Sequence, residues 1–259
     1  NVMKRERSEF ANIGCLIVDE AHAICSEKMS RALFYFCPKI CIGLTATPDR
    51  SDEMDKILDL HFSEDRIIVP LQVECLYYKL ETRLIPPKKM NMQGRTDWNS
   101  VLAFQADHNQ RNIWIIQLCR LFKDRNILVL CKRVKQTETL YYNLLNCKES
   151  VDYTTGSKSD FNRDARILVT TFSKSGVGFD HPKLDMLILA SDVEEMFAQY
   201  FGRCVRREDV SPIIVDLVDN LPNLEKHYLS RRKYAMSVGA KVLDFRASFP
   251  NFDLSLPKE

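Results

Sequence analysis

Short, almost uninterrupted apolar runs separated by helix-length stretches constrain this chain more than any other feature. Cys15-Leu16-Ile17-Val18, Ile40 to Leu44, Ile127-Leu128-Val129-Leu130, Ile167 to Thr170, Met186 to Ala190 and Ile213 to Val218 lack the polar alternation of a strand with one wet face. A strand buried on both faces has no need to alternate, and burial on both faces is the mark of a parallel sheet flanked by helices. Between these runs the sequence reads as helix: near Lys28 to Phe36, Ser51 to Leu60, Trp98 to Phe122, Thr137 to Leu145, Glu194 to Phe201 and Asn223 to Ala240. Strand and helix taking turns predict an α/β fold built on parallel sheets.

The alternation fails once. From Glu81 to Asp97, Pro86-Pro87-Lys88-Lys89 and Gln93-Gly94-Arg95 break any period. We therefore expect residues 1–80 to form one domain, 81–97 a linker, 98–245 a second domain and 246–259 a Pro-containing tail. A length of 259 residues suits about two domains, and 45% apolar with 28% charged residues is the make-up of a core-forming chain, which excludes disorder. No apolar run approaches the roughly 18 residues of a membrane span, and Asn1 opens the chain with neither an initiator Met nor a signal-peptide core, so a fragment of an intracellular protein is expected. Nine cysteines, several inside apolar runs, fit reduced buried thiols. Cys37-Pro38-Lys39-Ile40-Cys41 lacks a second Cys or His pair at zinc spacing, and zinc is not expected. A net charge of +2 does not announce a polyanion partner. Lys88-Lys89, Lys132-Arg133, Lys174, Arg203-Arg206-Arg207 and Arg231-Arg232-Lys233 are local basic clusters that suit either a phosphate backbone or a solvated face.

Asp19-Glu20-Ala21-His22 follows the first apolar run directly. Ligands of open α/β sheets gather beyond the carboxyl ends of the strands, where both carboxylates would emerge. One carboxylate there can orient a metal's water shell and the other an attacking water. Taken alone, the pair also suits the first turn of a surface helix.

Two further strings, in fixed order, sharpen the reading: Gly43-Leu44-Thr45-Ala46-Thr47-Pro48 and Gln199-Tyr200-Phe201-Gly202-Arg203-Cys204-Val205-Arg206. With the acidic string they resemble motifs II, III and VI of superfamily 2 helicases, the DExH, T-A-T and Q-x-x-G-R-x-x-R motifs. In the second unit, Ile127 to Arg133 looks like motif IV, Tyr153-Thr154-Thr155-Gly156 like motif IVa, and Arg166 to Asp180 like motif V, whose spacing departs from that of DEAD-box proteins. The Leu44-Thr45-Ala46-Thr47-Pro48 form closing on Arg50 is similar to the branch that holds type III restriction translocases and xeroderma-pigmentosum-B-type helicases. The stretch from Arg166 to Val218 most resembles the helicases of nucleocytoplasmic large DNA viruses, which act in transcription or replication.

The resemblance implies two RecA-like parallel-sheet domains in tandem, the first incomplete, with ATP and Mg²⁺ as cofactors bound in the cleft between them. It implies that Asp19 holds Mg²⁺ through water and that Glu20 orients or deprotonates the attacking water. His22, Thr45, Thr47 and Gln199 would couple the nucleotide site to the strand, Arg203 and Arg206 would reach the γ-phosphate, and Gly178 and Asp180 would serve the nucleotide. Thr155, Gly156, Thr171, Ser173 and Lys174 would face a single or duplex nucleic-acid strand, DNA favoured over RNA. The enzyme would work in host cytoplasm or virion.

A phosphate-binding loop requires G-x-x-x-x-G-K-[ST], and none of the eight glycines is followed by Lys. Gly156-Ser157-Lys158-Ser159 is an imitation with one intervening Ser and no preceding Gly. The chain is thus expected to be an ATP-dependent helicase or translocase that is inactive by itself and depends on an N-terminal segment supplying that loop. The rival readings are a non-catalytic nucleic-acid clamp with a degenerate helicase fold, and the translocase part of a restriction-type nuclease.

Overall fold

The computed structural model describes residues 2–45, 56–69, 71–172, 181–193, 197–207 and 209–252, without the side chain of Glu27. The chain divides into two compact units, residues 1–70 and 71–259.

In the first unit, β1 (Cys15–Val18) leads through a turn and the one-turn α1 (Glu27–Ser30) to β2 (Ile40–Gly43), and α2 (Lys56–Phe62) follows. β1 and β2 pair in parallel, Cys15 opposite Ile40 and Val18 opposite Gly43. The helix expected over Lys28 to Phe36 is broken into α1, capped by the Ser26 hydroxyl, and a 3₁₀ turn at Leu33–Tyr35. One sheet face is covered by Ala21, Cys25 and Leu58, with Val18 and Phe62 packed beside them. A methyl group added at Gly43 would lie 3.0 Å from the Phe62 ring, so glycine is what lets α2 close on β2. The other face carries Ile17, Ile40, Ile42 and Leu44, all exposed.

The second unit holds a seven-stranded, all-parallel sheet in the order β5-β6-β4-β7-β8-β3-β9. Its elements are β3 (Leu76–Glu81), α3 (Trp98–Asp107), α4 (Asn109–Leu121), β4 (Ile127–Cys131), α5 (Val134–Asn146), β5 (Val151–Thr154), β6 (Ile167–Thr171), β7 (Met186–Leu189), α6 (Phe197–Cys204), β8 (Ile213–Val218), α7 (Pro222–Ser237), β9 (Lys241–Asp244) and α8 (Phe245–Ser248). Every residue of β4, β6, β7 and β8 is buried, the reason these runs do not alternate. Ile127, Val129 and Cys131 face Ile115, Leu118, Leu140 and Leu144 of α4 and α5. Leu128 and Leu130 face the opposite core, where Phe197, Tyr200, Phe201 and Tyr228 of α6 and α7 lie.

Three features differ from the sequence expectation. β3 belongs to the second sheet, between β8 and β9, rather than closing the first domain at residue 80. A strand's period says that it is buried, not which sheet buries it, and here the Tyr77 hydroxyl donates to Asp216 across 139 residues. The single helix expected from Trp98 to Phe122 is two, because His108 adopts an extended backbone and its ring caps α4 at the Arg111 amide. The expected tail instead begins as α8, with Phe245 fully buried against Tyr78, Phe249 and Phe252. Aromatic residues at 245, 249 and 252 have helical spacing, a stronger signal than the prolines on which the tail was placed. No described helix is long and apolar enough to cross a membrane.

Candidate functional site

β1 ends at Val18, and the acidic pair emerges at its carboxyl end. Asp19 is exposed and its Oδ1 accepts from the Glu20 amide at 2.9 Å. Glu20 sits at φ 51°, ψ 48°, a left-handed conformation that costs a residue with a Cβ of order 1–3 kcal/mol. That turn is held from both sides: the Leu44 amide donates to the Val18 carbonyl and the Ala21 amide to the Leu44 carbonyl, each at 2.8 Å. The segment after β2 is thereby hydrogen-bonded to the turn after β1. On this frame His22 Nδ1 lies 3.0 Å from Thr45 Oγ1 and 3.4 Å from Glu20 Oε2. Glu20, His22 and Thr45 thus form one half-buried polar cluster beside the exposed Asp19. Thr47 lies outside the described residues.

A cavity of about 340 Å³ opens beside this cluster, between β2 and α2, lined by Gly43, Leu44, Thr45, Leu58 and Phe62 among others. It is mostly apolar and touches neither Asp19 nor Glu20, so it is not where their chemistry would occur. The described residues hold no group of three or more metal-ligating side chains. Mg²⁺ retains several waters and needs only one or two protein carboxylates when phosphate oxygens complete its shell, and the exposed Asp19 carboxylate fits that role.

In the second unit the carboxyl ends of β4, β5 and β6 bring Lys132, Thr155 and Thr171 to one edge of the sheet. Lys132 Nζ lies over the Phe172 ring, 5.4 Å from its centre. Thr155, expected to face a nucleic-acid strand, is buried; its amide donates to the Lys158 carbonyl at 2.9 Å and its hydroxyl lies 3.1 Å from Ser157 Oγ, so both groups are engaged within the loop. Thr171 is buried at the end of β6, while Gly156 is exposed. Lys158 pairs with Asp152 and lies over the Tyr153 ring at 4.2 Å, which gives the P-loop imitation a purely local role. Burial alone would raise the Asp152 carboxyl, but Lys158 and the Asn162 and Tyr153 amides outweigh it and hold the group below its ordinary range. Ser173, Lys174, Gly178 and Asp180 lie outside the described residues.

α6 carries Gln199 and Arg203, both half-buried, while Phe197, Tyr200, Phe201 and Cys204 anchor its other side in the core. A Cβ at Gly202 would meet nothing within 4 Å among the described residues, so no close packing requires the glycine. Nor do Arg203 and Arg206 share a helical face, for α6 ends at Cys204 and Arg206 follows it, exposed. Arg207 is not a solvated helix residue either: it pairs with buried Asp185 at 3.0 Å and with Asp209. Arg231, read as part of a basic cluster, is only 3% exposed and binds Asp216 and Asp192. The readable signal for it was Asp216, a carboxylate inside a six-residue apolar strand that demands a buried cationic partner.

All nine cysteines are free thiols. Burial pushes Cys119, Cys131 and Cys204 up to about 12, and Cys75 up to about 11. These four should resist iodoacetamide at pH 8 in the native chain while exposed Cys15, Cys37 and Cys147 are alkylated, as mass spectrometry of digests would show. Rapid labelling of Cys204 without unfolding would contradict the packing of α6.

Both units are built on parallel strands; the first carries the acidic pair at the carboxyl end of β1, and the second carries its arginines within and just past α6. A family model described as "Type III restriction enzyme, res subunit" matches residues 2–50. "Putative helicase 161L" of Invertebrate iridescent virus 6 is 35% identical over 266 residues, covering 95% of this chain and 60% of that protein. "Putative helicase 055L" of Frog virus 3 is 34% identical, covering 88% of this chain and 53% of that protein. The chain therefore spans somewhat more than half of these relatives. Among solved structures, a fragment of an HsdR subunit of a type I restriction enzyme from Vibrio vulnificus aligns with TM-score 0.65 and 20% identity, covering 92% of this chain and 50% of that one. S. cerevisiae Dbp5 bound to RNA and ADP BeF3 aligns with TM-score 0.62 and 14% identity, covering 94% and 62%. Both share the RecA-like fold. These similarities support a superfamily 2 helicase of the kind found in nucleocytoplasmic large DNA viruses.

Proposed function

We propose that this chain is part of an ATP-dependent helicase or translocase that moves along nucleic acid, DNA in preference to RNA, during viral transcription or replication inside the host cell. The observation that carries the reading is the hydrogen-bonded joining of the acidic turn to the segment after β2, through Ala21 to Leu44 and His22 to Thr45. A fold that needed only to clamp a strand would have no use for an exposed carboxylate, a strained Glu20 and a histidine-threonine contact at one strand end.

In this reading Asp19 would hold Mg²⁺ through its water shell, and the ion when bound would neutralise developing phosphate charge. Glu20 accepts a hydrogen bond from the attacking water and holds it in line. His22 and Thr45 transmit the state of that cluster into β2 and the segment beyond it. Arg203 and Arg206 donate to the γ-phosphate oxygens. In this reading loss of the γ-phosphate would remove an anion that these groups contact, and order-to-disorder switching on such a loss is one way nucleotide switches couple hydrolysis to motion.

Because no phosphate-binding loop occurs within the 259 residues, the chain alone is expected to hydrolyse no ATP above background. The same chain joined to a segment carrying G-x-x-x-x-G-K-[ST] should turn over at roughly 1–100 s⁻¹, the scale of phosphoryl-transfer enzymes. Phosphate-release assays with saturating single-stranded DNA test both halves. Ordinary turnover by the chain alone would sink the view that the loop is indispensable, and an inert joined protein would sink the enzyme reading.

A further inference from the structure

We propose that Asp192, held by Arg231 and His227, is the positioning residue that fixes where the chain leaves β7 on its way to the arginine-bearing α6. The link Ser191 to Val193 follows β7 directly and is bound from four elements. Its Asp192 amide donates to Gln105 Oε1 of α3 at 3.0 Å. Ser191 Oγ donates to Gln136 Oε1 of α5 at 2.9 Å and accepts from the Lys132 amide, just past β4, at 3.1 Å. The two carboxylate oxygens of Asp192 are divided between two residues of α7: Oδ1 takes Arg231 Nη1 at 2.9 Å and Oδ2 lies 2.6 Å from His227 Nδ1. A carboxylate only accepts, so His227 carries its proton on Nδ1.

Arg231 does more than pair with Asp192. Its Nη1 also donates to the Val193 carbonyl, and Nε and Nη2 grip Asp216 of β8 at 2.8 and 3.1 Å. His227 stacks on Trp98, the first residue of α3, with ring centres 5.1 Å apart. The side chains of Asp192, His227 and Arg231 are each less than a tenth exposed. Buried ion pairs give little net stability over apolar packing, but a shift of register strands their charges, and fixing register is their best-attested use. α6 needs that device. Phe197, Tyr200, Phe201 and Cys204 set its depth in the core, yet apolar contact is non-directional and does not by itself fix how far along the sheet edge the helix begins.

Amide hydrogen exchange on the 259-residue chain decides the matter. Asp192→Asn keeps the shape and removes the charge; His227→Phe keeps the stacking on Trp98 and removes the hydrogen bond. Each should lower protection of α6 amides about tenfold while β4 and β8 stay within twofold of the unaltered chain. Unchanged α6 exchange, or equal loss across β4 and β8, overturns the proposal. A second arm rests on the hydrolysis reading: in the chain completed with a phosphate-binding loop, both variants should lower kcat about tenfold with KM within twofold. Full kcat despite a loosened α6 would also overturn the positioning role. An inactive unaltered protein overturns the hydrolysis reading instead, and leaves the exchange result to decide this one.

Discussion

Replacing Arg206 by alanine is expected to stop ATP turnover in the chain completed with a phosphate-binding loop, with kcat lowered by about 10³ to 10⁵. That range corresponds to roughly 4–7 kcal/mol of barrier. Arg206 is exposed two residues beyond the end of α6, while Arg203 is half-buried within it. In the proposed reading the two guanidinium groups would reach the phosphate from separate places, one within the helix and one past its end. Arginine suits the task because it is always charged and donates in a fixed fork, so Arg206→Lys should not rescue turnover. Arg207 is no neutral comparison, since removing it would leave buried Asp185 without its cation. Arg163, exposed in the loop before β6, is a better one. Arg163→Ala should change the rate by less than about twofold and stability by at most roughly 0.5 kcal/mol. Equal, near-normal rates for Arg206→Ala and Arg163→Ala in steady-state kinetics would refute the assignment of Arg206 to the γ-phosphate.

How much of this was legible beforehand depends on the kind of signal. β4, β6, β7 and β8 were readable because unbroken apolar runs have one stable home, the middle of a parallel sheet. The carboxylates at the end of β1 were readable because a strand's exit is a fixed place in such a fold. That β3 is a member of the second sheet was not readable, since its membership is decided by Tyr77 and Asp216, 139 residues apart. Thr155 carried the right residue type for holding phosphate, yet its amide and hydroxyl are spent on Lys158 and Ser157, a choice that local geometry makes after the sequence is written. The buried polar links among Asp192, Asp216, Asp219, Arg111, His227 and Arg231 carried no spacing signal, because each bond joins residues far apart in the chain.

Arg111→Ala should destabilise the second unit by about 3–5 kcal/mol, the cost of stranding a buried charge. Arg111 of α4 and its partner Asp219, just past β8, are both 0% exposed in their side chains. Arg111 Nε lies 3.1 and 3.2 Å from the two carboxylate oxygens, Nη2 donates to the Leu217 carbonyl at 3.1 Å, and Nη1 donates to the Ala190 carbonyl. One side chain therefore ties α4 to the carboxyl ends of both β7 and β8. Asp219 also accepts from the Thr82 hydroxyl at 2.6 Å and Gln105 Nε2 at 2.7 Å. Those neutral donors cannot replace a guanidinium, and alanine would also remove one donor from each of the Ala190 and Leu217 carbonyls. If the stranded charge is the main cost, Arg111→Met with Asp219→Asn should recover most of the loss, because the asparagine carbonyl still accepts from Thr82 while no net charge remains buried. If the missing carbonyl donors dominate instead, the double variant will be no more stable than Arg111→Ala. Urea denaturation followed by tryptophan fluorescence reads the unit selectively, since both tryptophans of the chain, Trp98 and Trp114, belong to it. A double variant as unstable as the single would overturn the account in terms of uncompensated charge, and an Arg111→Ala loss below about 1 kcal/mol would show that water reaches Asp219.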